Sequence, residues 1–148
     1  MEDKFRHAIF GVAYCKNADG EIEYILLKRK KHWIGWEFPK GKIERFETKK
    51  MAVKREVGEE TGLKVIRIKK FREKGKYLYK KKLKDRPGKI GQTYQLFAVE
   101  VKKGKIKLDA IEHNGYQWAF FKKAYKKLTW PNQKHCLKIV DDWLNKNY

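Results

Sequence analysis

The sequence has only two cysteines and three prolines, and its N-terminal region has no long apolar run. Cys15 and Cys136 form neither a C-x-x-C pair nor a metal-ligand spacing, which argues against a disulfide scaffold and a structural zinc site and predicts two reduced core residues. The uncharged run at residues 7–15 is too short to span a bilayer, and the first residues lack a secretory pattern. These absences predict a cytoplasmic protein with no membrane partner.

Acidic residues are scarce relative to basic ones. The chain has 38 Lys and Arg against 18 Asp and Glu, which gives a formal net charge of +20. A field of that sign attracts polyanions such as nucleotides, nucleic acid or anionic lipid, although a lysine-rich proteome would produce the same composition. At 148 residues, 14% of them aromatic, the chain is predicted to form one domain, residues 1–148, with a hydrophobic core. No protein partner is implied.

Hydrophobic patterns predict a mixed order of strands and helices. Strands are predicted at residues 6–15, 21–29, 63–71, 92–101 and 115–121, with a short strand ending at Pro39. Helices are predicted at residues 48–61, about 122–128 and 130–145, and Gly62 is placed as the left-handed residue that ends the first of them. This order predicts an α/β fold in which helices pack on a mixed β-sheet.

The first predicted helix concentrates acidic residues in the sequence "REVGEE", residues 55–60. At about 100° per residue, Glu56, Glu59 and Glu60 lie within an arc of roughly 100°, beside Val53 and Val57, which can anchor the helix to the sheet. Carboxylates with this spacing suit Mg²⁺ or Mn²⁺, whereas a solvated acidic face is the usual fate of a glutamate-rich helix. The residues of this stretch alone leave both interpretations open.

A wider motif surrounds these glutamates. The pattern G-x5-E-x7-R-E-U-x-E-E-x-G-U, in which U is aliphatic, is complete at Gly41, Glu47, Arg55, Glu56, Val57, Glu59, Glu60, Gly62 and Leu63. A chance match somewhere in the chain is on the order of one in a million. The chain therefore resembles the Nudix hydrolase family, most specifically at residues 41–63. The resemblance implies an α/β/α sandwich that hydrolyses a nucleoside diphosphate linked to another moiety, with Mg²⁺ or Mn²⁺ as cofactor.

The resemblance also implies a role for each residue of the motif. Glu56 and Glu60 would be the main metal ligands, Glu59 a ligand or the base that activates water, and the main-chain carbonyl of Gly41 or Lys40 a further ligand. Structural roles fall to the ion pair between Glu47 and Arg55, which would hold the loop onto the helix, and to Gly62. A glycine at position 58 is expected to remove bulk beside the site.

The segments that flank the motif resemble two groups within the family. Residues 36–44 resemble the approach to the motif in diadenosine tetraphosphate hydrolases, which implies that Lys40 faces a phosphate rather than being one more surface lysine. Residues 89–101 and 111–121 resemble segments of RNA 5′-pyrophosphohydrolases. That likeness implies that Glu112 is a further metal ligand or base, rather than a plain loop carboxylate, and that Lys89, Gln92 and Tyr94 contact substrate.

The contact expected of Tyr94 depends on strand geometry. Diadenosine hydrolases tend to carry an aromatic residue where this chain has Gln95. Neighbouring residues of a strand point to opposite faces, so only one of Tyr94 and Gln95 can face the pocket. Stacking of adenine on Tyr94 is therefore left open.

Residues 67–89 carry twelve Lys or Arg and only two acids, Glu73 and Asp85. Tyr77 and Tyr79 lie among the basic residues, an interleaving typical of single-strand binders, so this stretch could grip an RNA backbone or simply be a solvated basic hairpin. The histidines show no ligand spacing, and core or surface roles are predicted for them.

The resemblance ranks the substrates. Hydrolysis of dinucleoside polyphosphates of the diadenosine tetraphosphate type is placed first, and removal of pyrophosphate from an RNA 5′ end is the alternative. A nucleoside triphosphate or ADP-ribose pyrophosphatase follows. A catalytically silent nucleotide or RNA sensor is the rival from another class, and it is disfavoured because all the carboxylates of the motif are present.

Overall fold

A computed structural model describes residues 3–147 of the chain. The strands are β1 (Phe5–Lys16), β2 (Ile22–Arg29), β3 (Gly35–Glu37), β4 (Lys40–Lys42), β5 (Val65–Leu78), β6 (Gly91–Val101) and β7 (His113–Ala119). The helices are α1 (Lys49–Thr61), α2 (Phe121–Lys127) and α3 (Pro131–Asn147).

All seven strands belong to one mixed sheet, in which the main path runs β3-β2-β1-β6-β5. The central pair, β1 and β6, is parallel from Phe5 opposite Gly91 to Tyr14 opposite Glu100, and the other pairs are antiparallel. The opposite edge of β1 pairs with β4 near its start and with β2 near its end. β7 pairs with the edge of β2 opposite β3 and so brings a distant part of the chain close to the start of the site.

Helices cover both faces of the sheet, which confirms the α/β/α sandwich. On one face, Ala52, Val53 and Val57 of α1 pack in a cluster with buried residues of β1, β2 and β6. On the other, α2 and α3 pack in a second cluster to which Phe10, Tyr94 and Leu96 contribute. Because side chains of a strand alternate between faces, each central strand supplies both clusters.

Helix α1 has a defined start and end. The Thr48 side chain accepts a hydrogen bond from the main-chain amide of Met51 (3.1 Å), as an N-cap residue does. Gly62 has a φ of 73° and its amide donates to the carbonyl of Gly58 (2.8 Å). A left-handed glycine of this kind ends a helix without steric cost, as the sequence predicts for this position.

Apart from shifts of one or two residues, three elements differ from the sequence-based prediction. Lys40–Lys42 forms a short strand, β4, because it pairs with Ala8–Phe10 of β1, a long-range contact without a local signal. The prediction ended β5 at Phe71, but the strand continues to Leu78 opposite Gly91, since its basic residues occupy the exposed positions of a sheet edge. Phe121 is not part of the last strand, which ends at Ala119, and instead begins α2. No helix within the described residues is long and apolar enough to cross a membrane.

Candidate metal centre and substrate pocket

The three glutamates of α1 differ in their surroundings. Glu60 is 1% exposed, at the inner edge of the helix. The side chain of Glu59 is 58% exposed, at the rim of the same group, and Glu56 is half-buried between them. Val57 is fully buried and holds this turn of the helix on the sheet. The helix therefore presents a graded set of carboxylates, from buried to solvated.

Strand β4 touches these carboxylates through its backbone. The main-chain amide of Lys40 donates to Oε2 of Glu60 (2.9 Å). A Cβ atom added to Gly41 would lie 2.1 Å from the carboxyl carbon of Glu56. Glycine at position 41 therefore allows the Glu56 carboxylate to lie directly against the strand.

The distant glutamate predicted for the site joins this group. Ligand atoms of Glu60, Glu112 and His113 all lie within 4.8 Å of one another. The carbonyl of Glu112 accepts a hydrogen bond from the amide of Lys30 (2.9 Å), which fixes the start of β7 beside β2. The pairing of β7 with β2 thus carries Glu112 to the α1 carboxylates across more than fifty residues of sequence.

The electrostatics of the group indicate a cation site. Burial, together with repulsion from Glu56, Glu37 and Glu112, raises the pKa of Glu60 well above its usual value. Burial raises the pKa of Glu56 to about 7, against the hydrogen bond and charge of Arg55, and Glu59 and Glu112 add repulsion. Oε1 of Glu60 is buried without a hydrogen-bond partner. Clustered carboxylates and one unpartnered buried oxygen fit a hard divalent cation such as Mg²⁺.

Arg55 organises the outer side of the group. Its Nε and one terminal nitrogen donate to the two carboxylate oxygens of Glu47 (2.7 and 2.9 Å), a bidentate pair. The other terminal nitrogen donates to Glu56 (2.7 Å) and Glu59 (3.2 Å). The guanidinium also donates to the carbonyl of Lys42 (2.9 Å), so it ties β4 and its following loop to α1.

A buried charged network lies behind the metal group, which comprises Glu56, Glu60, Glu112 and His113, and the sequence patterns gave only one sign of it. Glu37 accepts hydrogen bonds from Arg29 (3.0 Å) and lies 2.8 Å from Nε2 of His113, while the ammonium of Lys40 lies 3.4 Å from its other oxygen. Burial alone would raise the pKa of Glu37, but Lys40, His113 and Arg29 outweigh it and hold the pKa at about 2. His113 was predicted to play no part in a site, yet it belongs both to this network and to the metal group. Alternation in β3, which places Glu37 and not Trp36 inward, was the one available signal.

An aromatic cavity of about 680 Å³ opens beside Lys40, on the α3 face of the sheet. Its aromatic lining consists of Phe10, Trp33, Tyr77, Tyr79, Tyr94 and Trp130. The ammonium of Lys40 lies 4.5 Å from the centre of the Trp33 ring, and Lys80 lies 5.3 Å from that of Trp130. A flat aromatic group with a phosphate tail would place its ring in the cavity and its phosphates toward Lys40.

Of the remaining predicted substrate residues, Tyr94 lines this cavity, whereas Gln92 and Lys89 lie outside its lining. Tyr94 faces it and stacks on Phe10, with ring centres 4.4 Å apart, whereas Gln95 points to the other face and bonds the carbonyl of Phe71 (2.5 Å). Gln92 is 1% exposed beneath the surface, and the ammonium of Lys89 donates to the carbonyl of Asp3 (2.6 Å).

The role expected of Gly58 is wrong. A Cβ atom at position 58 would meet nothing within 4 Å, outside the helix's own backbone. The glycine that makes room beside the carboxylates is Gly41. Spacing along one helix cannot show this, because the close approach is made by a strand from elsewhere in the chain.

Comparisons with known proteins agree with this geometry. The family model described as NUDIX domain matches residues 5–138. An RNA pyrophosphohydrolase of Nitratiruptor sp. is 29% identical over 154 aligned residues, which cover 100% of this chain and 99% of that protein. An 8-oxo-dGTP diphosphatase of Buchnera aphidicola is 40% identical over 80 residues, 53% of this chain and 58% of that protein.

Solved structures show the same fold. The C. elegans Ap4A hydrolase in a binary complex superposes with a TM-score of 0.75 at 22% identity, over 95% of this chain and 98% of that one. Together with the complete motif at residues 41–63, these matches show that the chain belongs to the NUDIX domain family and is a Nudix pyrophosphohydrolase.

Proposed function

We propose that the protein removes pyrophosphate or phosphate from the 5′-triphosphate end of RNA, by divalent-cation-dependent attack of water on phosphorus. The observation that carries this proposal is the aromatic cavity next to the carboxylate group, joined to it by Lys40. Such an arrangement suits a nucleotide whose base enters the cavity while its phosphates reach the carboxylates.

The glutamates of the site have two roles, cation binding and acceptance of a proton from water. Glu56, Glu60 and Glu112 would hold the cation, and the main chain at Gly41, which lies against the Glu56 carboxylate, would be a further ligand. When bound, the cation neutralises phosphate charge and lowers the pKa of water. Glu59, at the solvated rim, accepts the proton of the attacking water. An oxygen–phosphorus bond forms, the bridging bond breaks, and its electron pair leaves with the departing phosphate.

RNA is placed ahead of dinucleoside polyphosphates for two reasons, which reverses the order that the sequence resemblance gave. The relative matched over its full length is named an RNA pyrophosphohydrolase. Lys80 and Lys81 line the cavity, and the exposed positions of the edge strand β5 carry further basic residues on both faces of the sheet (Arg67, Lys69, Arg72, Lys74 and Lys76). This basic surface extends well beyond the reach of one nucleotide and suits a longer polyanion.

Dinucleoside polyphosphates are the second candidate. Tyr94 stacks on Phe10 at the cavity floor, on the face where a base would lie. Tyr94 and not Gln95 lines the cavity, which supports Tyr94 as the residue of this pair that would contact a base. A second nucleoside could then rest on the other aromatic rings of the lining.

Product analysis with triphosphorylated RNA, diadenosine tetraphosphate and a nucleoside triphosphate tests the proposal. Replacement of Lys80, Lys81 and Lys82 by glutamine should raise KM for RNA many-fold and raise KM for diadenosine tetraphosphate by a much smaller factor. The slope of log K for RNA binding against log salt concentration should become shallower by about 0.7 for each lost phosphate contact. A matched control replaces the exposed lysines Lys122, Lys123 and Lys126 of α2, which lie outside the cavity lining. Faster turnover of the dinucleotide than of RNA by the wild type, or an equal effect of the two triple variants, would contradict the RNA assignment.

A further inference from the structure

Two arginines near the cavity share one uncharged partner. Oε1 of Gln92 accepts hydrogen bonds from Arg6 (2.9 Å) and from Arg86 (3.3 Å), and also from the hydroxyl of Tyr79 (3.1 Å). Arg86 donates in addition to the hydroxyl of Tyr79 (3.1 Å). Because every neighbour is a donor, the amide oxygen of Gln92 must face them. The result is two guanidiniums converging on a neutral, buried oxygen.

This pair lacks the anion that the other partly buried arginines have. Arg29 is paired with Glu37 (3.0 Å) and Arg55 with Glu47 (2.7 Å). Among residues 3–147, no carboxylate lies within ion-pair distance of Arg6 or Arg86. Burial and the repulsion of Arg86 both lower the pKa of Arg6. Two like charges held together without a counter-ion destabilise the protein unless an anion joins them.

The pair lies next to the aromatic cavity. Because side chains alternate along a strand, Arg6, Gln92 and Tyr94 all lie on the face of the sheet that carries the cavity. Tyr79 belongs both to the cavity lining and to this cluster. The charge of Glu112 acts on Arg6, and that of Arg86 acts on Lys40, so the cluster borders both the metal group and the lysine.

We propose that Arg6 and Arg86, set by Gln92 and Tyr79, form an anion site that binds a phosphate group of the substrate not held by the cation. Guanidinium forks bind phosphate oxygens with two parallel hydrogen bonds each. The site extends the phosphate path from the carboxylates past Lys40, and it deepens the proposed function on which it rests.

Binding of inorganic triphosphate without metal tests the site directly. Titration calorimetry in EDTA at low salt should show binding to the wild type, and affinity reduced tenfold or more in Arg6→Gln and in Arg86→Gln. Arg45→Gln is the matched control, because Arg45 is exposed, contacts the Phe46 ring (5.0 Å) and has no carboxylate partner among the described residues. Its affinity should stay within twofold of the wild type. Equal affinity in the wild type and Arg86→Gln, or an equal loss in Arg45→Gln, would overturn the proposal.

A second variant separates ligand binding from a structural role. Gln92→Glu places a carboxylate between the two guanidiniums and so supplies an internal counter-ion. It should raise the melting temperature of the protein and lower triphosphate affinity by tenfold or more. If Gln92→Glu binds triphosphate like the wild type, the pair is not the binding site.

The proposed function and this site can fail separately. If the enzyme does not act on triphosphorylated RNA but the arginine variants still lose triphosphate binding, only the substrate assignment is wrong. If RNA is hydrolysed and Arg86→Gln changes neither KM nor triphosphate binding, only the anion site is wrong.

Discussion

Lys40 holds one oxygen of Glu60 through its main-chain amide, at 2.9 Å, although the two residues are 20 positions apart. The other oxygen of Glu60 is buried without a partner. A buried carboxylate with one oxygen hydrogen-bonded and the other unpartnered is arranged to bind a ligand. Without that ligand, the buried charge should lower the free energy of unfolding by a measurable amount.

The first prediction concerns pH and stability in the absence of metal. The pKa values of Glu56 and Glu60 are raised above their unfolded values, so the native state binds more protons than the unfolded state, and stability falls as pH rises. For Glu56 this window runs from 4.5 to about 7, which corresponds to about 3 kcal/mol. Urea unfolding in EDTA should therefore show the wild type less stable at pH 8 than at pH 5.

Glu60→Gln provides the comparison for that prediction. Glutamine can still accept the Lys40 amide but carries no charge, so the variant should lose less stability between pH 5 and pH 8. Mg²⁺ should stabilise the wild type more at pH 8 than at pH 5, because protons compete for the same oxygens. Parallel pH profiles of stability for the wild type and the variant would show that ionisation of Glu60 does not cause the loss of stability at high pH.

The second prediction concerns turnover. Glu56→Gln and Glu60→Gln should each reduce Mg²⁺-dependent kcat by orders of magnitude with the fold intact, because each removes a charge from the group that would hold the cation. Circular dichroism and steady-state kinetics measure the two quantities. Glu21→Gln, an exposed change in the β1–β2 turn, is the control. Near-normal turnover in both variants would contradict the metal assignment.

The third prediction compares two glycines. In Gly41→Ala the new methyl group would overlap the end of the Glu56 side chain, which can swing away at little cost in stability but leaves the metal group when it does. Turnover should fall sharply while the melting temperature changes little. Gly58→Ala meets open space and should stabilise the protein by about 0.5–1 kcal/mol with turnover unchanged. If Gly58→Ala and Gly41→Ala affect activity equally, the close approach of β4 is not what positions Glu56.

The fourth prediction concerns the buried network. Glu37→Gln leaves Arg29, Lys40 and His113 buried without their shared carboxylate, and should destabilise the protein by about 3–5 kcal/mol. Asp142→Asn breaks the exposed pair with Lys138 and should cost less than about 1 kcal/mol. Chemical unfolding of both variants gives the comparison. A loss of similar size in the two would mean that Glu37 does not hold the network together.

The fifth prediction concerns the cavity. Trp33 lines the cavity, and the guanidinium of Arg29 and the ammonium of Lys40 each lie 4.5 Å from its ring. Trp33→Leu should raise KM with a smaller effect on kcat, since stacking of a base on an aromatic ring is worth about 1–3 kcal/mol. Trp118→Leu, which lies in the cluster beneath α1 and outside the cavity lining, should leave KM unchanged. The opposite ranking of the two variants would place the base elsewhere.

Patterns within single segments of the sequence predicted much of the fold and part of the site. Periodicity predicted α1 and the central strands, and turn residues such as Gly62 marked their ends, because these signals arise within one segment. The motif predicted Glu56 and Glu60 for the same reason, and the resemblance of residues 111–121 to a segment of RNA 5′-pyrophosphohydrolases predicted Glu112. The network of Glu37, Lys40 and His113 depends on three strands meeting, so no single segment contains its pattern.

The sequence analysis also failed where one segment of the chain packs closely against another. Gly58 and Gly41 look alike in the sequence, and only the pairing of β4 with β1 decides which of them faces a carboxylate. The length of β5 was missed because its charged residues mask the alternation that a half-buried strand normally shows.

The parallel pairing of β1 and β6 has a consequence for how the protein assembles. Phe5 lies opposite Gly91 and Tyr14 opposite Glu100, so the chain must close a loop of more than eighty residues before the central pair can form. Such closure is entropically costly and slows folding. β4 and α1 both lie inside that loop, and β6 covers the buried side of α1. The carboxylate group should therefore become competent only late in folding, in step with the central strand pair rather than with the helix that carries most of its ligands.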